Sequence, residues 1–140
     1  MTHLLDTSAM LAHYLGEPGA ERVQTLFEDE TVVPGTSVLA LFEFELRLHQ
    51  LGEDESTRSA ELSRYRALLD EVADVDESVR AEAVHLRTSA TARLSAMDAL
   101  IAATASSRRA TLIHRDPHFA AVPTQLLQQE FLPAKLAGAA

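Results

Sequence analysis

Two aspartates stand just beyond short apolar runs: Asp6 follows His3-Leu4-Leu5, and Asp116 follows Thr111-Leu112-Ile113-His114-Arg115. Runs of this length read as strands, which puts both carboxylates at the carboxyl edge of a sheet, where α/β sheets bind their ligands. Oxygen donors gathered there suit a hard divalent cation such as Mg²⁺ or Mn²⁺. Each acid also has a purely local use. Asp6-Thr7-Ser8 and Asp116-Pro117 are both good helix starts, with Asp accepting the free N–H groups of the first turn. The recurrence at two strand ends is what capping alone leaves unexplained.

Two further acids could join them. Asp98 lies three residues after Ser95, the spacing of a capping box, and an acid in a first helical turn can also project toward the edge where strands end. Glu43 lies in a strongly apolar segment, flanked by Leu39 and Leu46 at helical spacing, and a buried Glu needs a partner or a metal. Glu45 is nearby and equally acidic, and helical geometry alone does not choose between them. His114 and His118 bracket Asp116 and invite a zinc reading. Against it, one ends a strand and the other begins a helical turn, with no further His or Cys close in sequence, so lining the site or contacting phosphate suits them better.

The rest of the composition bounds the chemistry. With no cysteine among 140 residues, disulfides and thiolate metal sites are excluded, and any metal takes oxygen or nitrogen ligands. A net charge of −9 argues against non-specific coating of nucleic acid, which depends on Lys and Arg neutralising phosphates. A nuclease remains compatible, because a cation restores positive charge where the phosphodiester sits. The start of the chain lacks a basic segment leading into an apolar run, and no apolar stretch is long enough to span a bilayer; a cytoplasmic protein without membrane contact is expected.

These side chains must be carried by alternating elements. After the first strand, Met10, Leu11, Tyr14 and Leu15 predict a helix, and a second helix runs from about Pro18 through Val23, Leu26 and Phe27. Thr31-Val32-Val33 reads as a strand, and Thr36 or Ser37 caps a long helix that ends near Gly52, before a solvated turn at Glu53-Asp54-Glu55. Apolar stripes over Ser56 to Val72, and from Glu77 over Val79, Ala83, Val84 and Leu86, predict a helical hairpin. An alanine-rich helix opens at Ser95, Thr111-Leu112-Ile113 makes a third strand, and Gln125-Leu126-Leu127 a weak fourth at an edge. Strands alternating with helices define an α/β fold with a short, mainly parallel sheet flanked by helices. One domain spans residues 1–132, and residues 133–140 form a flexible tail.

Leu4-Leu5-Asp6-Thr7-Ser8-Ala9, Thr36-Ser37 with Glu43, Leu94-Ser95-Ala96-Met97-Asp98-Ala99-Leu100-Ile101-Ala102-Ala103 and Arg115-Asp116-Pro117-His118-Phe119 occur in that order. Together they resemble the PIN domain, over nearly the whole chain, in the form of the VapC-type toxins of toxin–antitoxin pairs. The resemblance implies a three-layer domain and a metal-dependent endoribonuclease. It places Asp6, Glu43, Asp98 and Asp116 on the family's acidic positions, as catalytic groups and ligands for one or two Mg²⁺ or Mn²⁺ ions, and so chooses Glu43 over Glu45. Asp6 and Asp116 are then the first direct ligands, with Glu43 and Asp98 completing the shell, and Thr7 or Ser8 orients water. His114 departs from the pattern, since such proteins often carry a small hydroxyl residue two places before the last acid.

The resemblance further implies an RNA substrate, with Arg115, Arg93 or Lys135 along its backbone, a homodimer, and a VapB-like antitoxin seated on an apolar groove of the Ser56 to Leu86 helical pair. The alternative is a catalytically silent PIN scaffold that binds RNA or a protein partner, which the His114 departure keeps open. A hydrolase of the haloacid dehalogenase type also begins with a strand ending in Asp, but Ser8 stands where its second Asp belongs. A receiver-like signalling domain lacks its lysine, as none lies between Met1 and Pro133. Neither the RNA target nor the antitoxin is encoded in these motifs.

Overall fold

The computed structural model describes residues 1–134. Five strands form one parallel sheet: β1 (His3–Leu5), β2 (Pro34–Ser37), β3 (Glu71–Ala73), β4 (Thr111–His114) and β5 (Gln129–Phe131), in the order β3-β2-β1-β4-β5. Six helices connect them: α1 (Thr7–Leu15), α2 (Ala20–Glu28), α3 (Val38–Gln50), α4 (Glu55–Leu68), α5 (Glu77–Ser89) and α6 (Ala96–Ser107). The chain steps outward from β1 to β2 to β3, then returns across the sheet to β4. Because parallel crossovers are right-handed, this reversal puts α5 and α6 on the face opposite α1 to α4 and makes three layers. It also puts a topological switch between β1 and β4, where the loops after the two strands part and leave a crevice.

The two central strands are apolar on both sides because helices cover both faces: Leu4, Leu5, Leu112 and Ile113 are fully buried. Each such side chain contributes on the order of 2 kcal/mol of burial free energy. Helix α6 buries Ala99, Ile101, Ala102, Ala103, Thr104 and Ala105, and its small side chains let it lie close against α5 and β4. Ser95 starts it by accepting the Asp98 N–H, as Ser37 starts α3 by accepting the Leu39 N–H.

The structure moves three of the expected elements. Thr31-Val32-Val33 is not the second strand: Asp29 accepts from both the N–H and the hydroxyl of Thr31 and holds a turn, and the strand is Pro34-Gly35-Thr36-Ser37. Gly35 suits a close approach there, since a Cβ would lie 2.5 Å from Met1 Cε and 3.0 Å from the Glu71 carbonyl oxygen of the neighbouring strand, and both would have to shift. Val72 belongs to β3, not to the helix before it. The Leu68–Leu69 helix end and the Asp70 N–H bond to Pro34 O turn the chain into the sheet, so α4 and α5 are separated by a strand and pack on α3 and α6 respectively. The edge strand lies at Gln129–Phe131 and not at Gln125-Leu126-Leu127, whose Leu127 is core. The turn at Glu53-Asp54-Glu55 ends in a cap, Asp54 accepting the Thr57 N–H at the start of α4.

Leu132 is buried and its N–H bonds His114 O; most of the expected tail, residues 135–140, lies outside the described residues. Among the described residues no helix is long and apolar enough to cross a membrane.

Candidate active site

One acid from each of four places in the chain comes near the carboxyl ends of β1 and β4, close enough for their charges to act on one another. Asp6 immediately follows β1 and is 5% exposed. Its backbone N–H continues the sheet by bonding Ile113 O, and its Oδ2 accepts from the Ser8 N–H at 3.1 Å and the Ser8 hydroxyl at 2.6 Å. Capping and site formation therefore use the same carboxylate. Burial pushes its pKa up to about 6, against the two Ser8 hydrogen bonds, and the negative charges of Asp98 and Glu43 push the same way.

Glu43 is half-buried in the second turn of α3, whereas Glu45 is exposed. The Thr7 hydroxyl donates to Ala40 O at 3.0 Å and approaches Glu43 Oε1 at 3.3 Å, tying the start of α1 to this turn of α3. Burial raises the Glu43 pKa, with Asp98 adding to it, Thr7 opposing it and Asp116 adding again. Asp98 is half-buried in the first turn of α6. Its pKa is raised by burial and then by Asp116, opposed by a hydrogen bond with Ser95 and by His118. The four carboxylates thus sense one another as a connected set, and like charges so placed need a proton or a cation.

Asp116 closes the set. It caps the 3-10 turn Pro117–Ala121, its Oδ1 accepting the His118 N–H at 2.9 Å. The His118 ring reaches the same oxygen through Nδ1 at 2.9 Å, and one donor atom each of Asp98, Asp116 and His118 falls within 4.8 Å of the others.

His114 is fully buried and does not line the crevice. Its Nδ1 accepts the Asp116 N–H at 3.1 Å, so its proton sits on Nε2, which donates to Gln129 Oε1 at 2.8 Å; Gln129 Nε2 in turn donates to Phe119 O. The ring packs between Phe119 and Phe131, and burial pushes its pKa down. An imidazole here does through the backbone of Asp116 what a small hydroxyl could do through its side chain.

Two supporting roles change on inspection. The Ser8 hydroxyl gives its proton to Asp6 and accepts the Arg115 N–H at 2.9 Å, and the Thr7 proton goes to Ala40 O and Glu43; neither hydroxyl has a proton left for water. They brace carboxylates. The Arg115 guanidinium is turned into a nearly buried ion pair with Glu17 at 3.0 Å, their side chains 11% and 13% exposed, and not toward the crevice. Arg93 is exposed and shares a cleft with Ser95, Asp98 and His118, while Lys135 lies outside the described residues. Sequence reasoning undervalued His118, whose signal was its place two residues after a strand-end Asp.

The donor set is oxygen-rich, partly buried, mutually repelling and bordered by the exposed His118 and Arg93, which fits a divalent cation with a vacant flank for a ligand. Fold and crevice together define an α/β protein with an acidic site at the switch point of a parallel sheet. The chain belongs to the PIN domain family, whose profile matches residues 3–125.

No curated protein matches the chain in sequence. Among solved structures it is similar to VapBC2 from Rickettsia felis, bound to a DNA fragment from its promoter, with TM-score 0.76 and 20% identity over 95% of this chain and 100% of that one. It is similar to a toxin–antitoxin complex from Klebsiella pneumoniae, with TM-score 0.66 and 25% identity over 87% and 93% of the two chains. A third is VapC20 from Mycobacterium tuberculosis, described as a toxin that cleaves the sarcin–ricin loop, with TM-score 0.66 and 19% identity over 86% and 94%.

Proposed function

We propose that this protein is a metal-dependent endoribonuclease and the toxin of a VapBC-type pair, working in the cytoplasm. The observation that carries the reading is the coupling of Asp6, Glu43, Asp98 and Asp116, brought near one another from four places in the chain. These four would hold one or two Mg²⁺ or Mn²⁺ ions. When bound, such an ion supplies positive charge to a phosphodiester and acidifies a water for in-line attack.

The chain's own residues do the positioning. Ser8 fixes Asp6 against the end of β4, Thr7 fixes Glu43 against α1, and the His114–Gln129 pair fixes the turn that carries Asp116. Rigid placement of this kind is worth more than any single contact, because small displacements of reacting groups cost large factors in rate. In the reaction, water oxygen bonds to phosphorus as the bond to the leaving ribose oxygen breaks, and that oxygen takes up a proton. The acids would then serve as ligands before they serve as bases.

The similar structures that contain antitoxins support a VapB-like partner for this chain as well; the homodimer is carried by the resemblance alone. The catalytically silent scaffold rested on the residue at 114, and its support weakens here, since His114 holds the last acid's turn in place. The deciding experiment is cleavage of a mixed panel of structured and single-stranded RNA with Mg²⁺ or Mn²⁺, against EDTA and against Asp6→Asn and Asp98→Asn. Cutting by wild type alone, and only with metal, is expected. A folded, metal-bound, antitoxin-free protein that cuts nothing on the panel returns the reading to the scaffold.

A further inference from the structure

The His118 side chain is 70% exposed, yet its position is fixed twice, by its backbone N–H and by ring Nδ1, both on Asp116 Oδ1 at 2.9 Å. A nitrogen and an oxygen 2.9 Å apart share a proton when no metal is bound, and the same separation is that of two neighbouring ligands on one cation about 2.1 Å from each, so a cation held by His118 Nδ1 and Asp116 Oδ1 would stand where that proton stands. His118 also lies within 4.8 Å, donor to donor, of Asp98 and Asp116 and lines the cleft beside Arg93 and Ser95. Pro117 restricts the backbone just before it, so the ring projects from a short, stiff turn.

We infer that His118 is a nitrogen ligand to the cation of the acidic site and shifts that site's preference from Mg²⁺ toward first-row transition ions. The inference rests on the metal-binding reading of the four acids. Mg²⁺ keeps to oxygen and water, whereas imidazole nitrogen binds transition ions better, so one nitrogen in an otherwise all-oxygen set alters selectivity without altering the fold. The buried His114 cannot substitute, since both its ring nitrogens are already bonded to protein.

Mn²⁺ is the probe. The chelator-stripped, antitoxin-free protein is titrated with Mn²⁺ and separately with Mg²⁺ by calorimetry, and the Mn²⁺ form is examined by pulsed electron paramagnetic resonance for nitrogen hyperfine modulation. Wild type is expected to show that modulation, and His118→Ala to lose it with about a tenfold weaker Mn²⁺ affinity and little change for Mg²⁺. His118→Gln separates ligation from positioning. Its amide can still donate to Asp116 but offers no imidazole, so it should behave as His118→Ala does. Recovery of Mn²⁺ affinity in His118→Gln, or bound Mn²⁺ without nitrogen modulation in wild type, overturns the ligand role and leaves the acidic site standing. If wild type binds Mn²⁺ no better than Asp6→Asn and Asp98→Asn do, the metal reading of the acids fails first and takes this inference with it.

Discussion

The backbone N–H of Asp116 donates to the buried ring of His114 across 3.1 Å, and through Nε2 the same ring holds Gln129 of the edge strand. One side chain thereby joins the last acid's turn to β5. Removing it leaves a cavity between Phe119 and Phe131 and two polar groups without their partner. His114→Ala is expected to cost about 3 kcal/mol in urea unfolding, and Gln129→Ala, which spares the Asp116 bond, about 1 kcal/mol. Equal losses in the two variants would show that the Asp116 link carries none of the difference.

Asp6 makes the metal-free fold sensitive to pH. Its folded pKa of about 6 exceeds the ordinary 3.8, so the protonated form is the one the fold favours. The contribution is full below about pH 4 and is lost as pH rises through about 6, at most about 3 kcal/mol. The carboxylates with lowered values, such as Glu130, act in the opposite sense and at lower pH. Chelator-treated protein should therefore melt lower at pH 7.5 than at pH 4.5, with saturating Mg²⁺ or Mn²⁺ removing the difference. Asp6→Asn should flatten the profile without metal and stabilise the metal-free protein at neutral pH. A melting temperature that rises steadily over this range in stripped wild type contradicts the assignment.

Glu43 and Glu45 differ by two residues and by environment. The first is half-buried against Thr7 and raised in pKa by burial and Asp98; the second faces solvent. Glu43→Gln should lower metal-dependent cleavage about 10- to 100-fold, and Glu45→Gln should stay within about twofold of wild type. Thr7→Val tests the brace: if its hydroxyl positions Glu43, cleavage falls while metal still binds.

Why the acids could be read from the sequence and their supports could not is a matter of range. Asp6, Asp98 and Asp116 sit at element boundaries, where chain-local signals are strongest: a strand's end, a capping serine, a proline. Glu43 needed the family pattern, since rotation of α3 is fixed by Phe44 and Leu48 packing against the core and not by local sequence. The two displaced strands show the limit from the other side. β-branched Thr31-Val32-Val33 has the better strand propensity, but Pro34–Ser37 is chosen by close approach to Glu71 and a hydrogen bond from Thr36 to Leu5 O, both long-range in sequence. The three-residue β3 offers no period of its own and continues the apolar stripe of α4. Ser8 and Thr7 read equally well as hydroxyls free for water until the structure shows where their protons go.

Arg115 and Arg93 should fail in different ways. Arg115 holds Glu17 in a nearly buried pair and touches Pro18 O, so Arg115→Ala removes one partner of a poorly solvated ion pair and should act on stability. Arg93 is exposed, makes no ion pair or hydrogen bond among the described residues, and borders the cleft that holds Asp98 and His118. It is placed to meet a phosphate that approaches those groups. Arg93→Ala should leave the unfolding midpoint unchanged, weaken RNA binding severalfold and reduce the slope of log affinity against log salt by about one, as expected for one phosphate contact. Titrations of a labelled RNA with an Asp98→Asn background, at several salt concentrations, measure this without cleavage. An unchanged salt slope in Arg93→Ala moves the RNA path away from this cleft, and a slope that changes in Arg115→Ala instead would mean that the Glu17 pair opens when RNA binds.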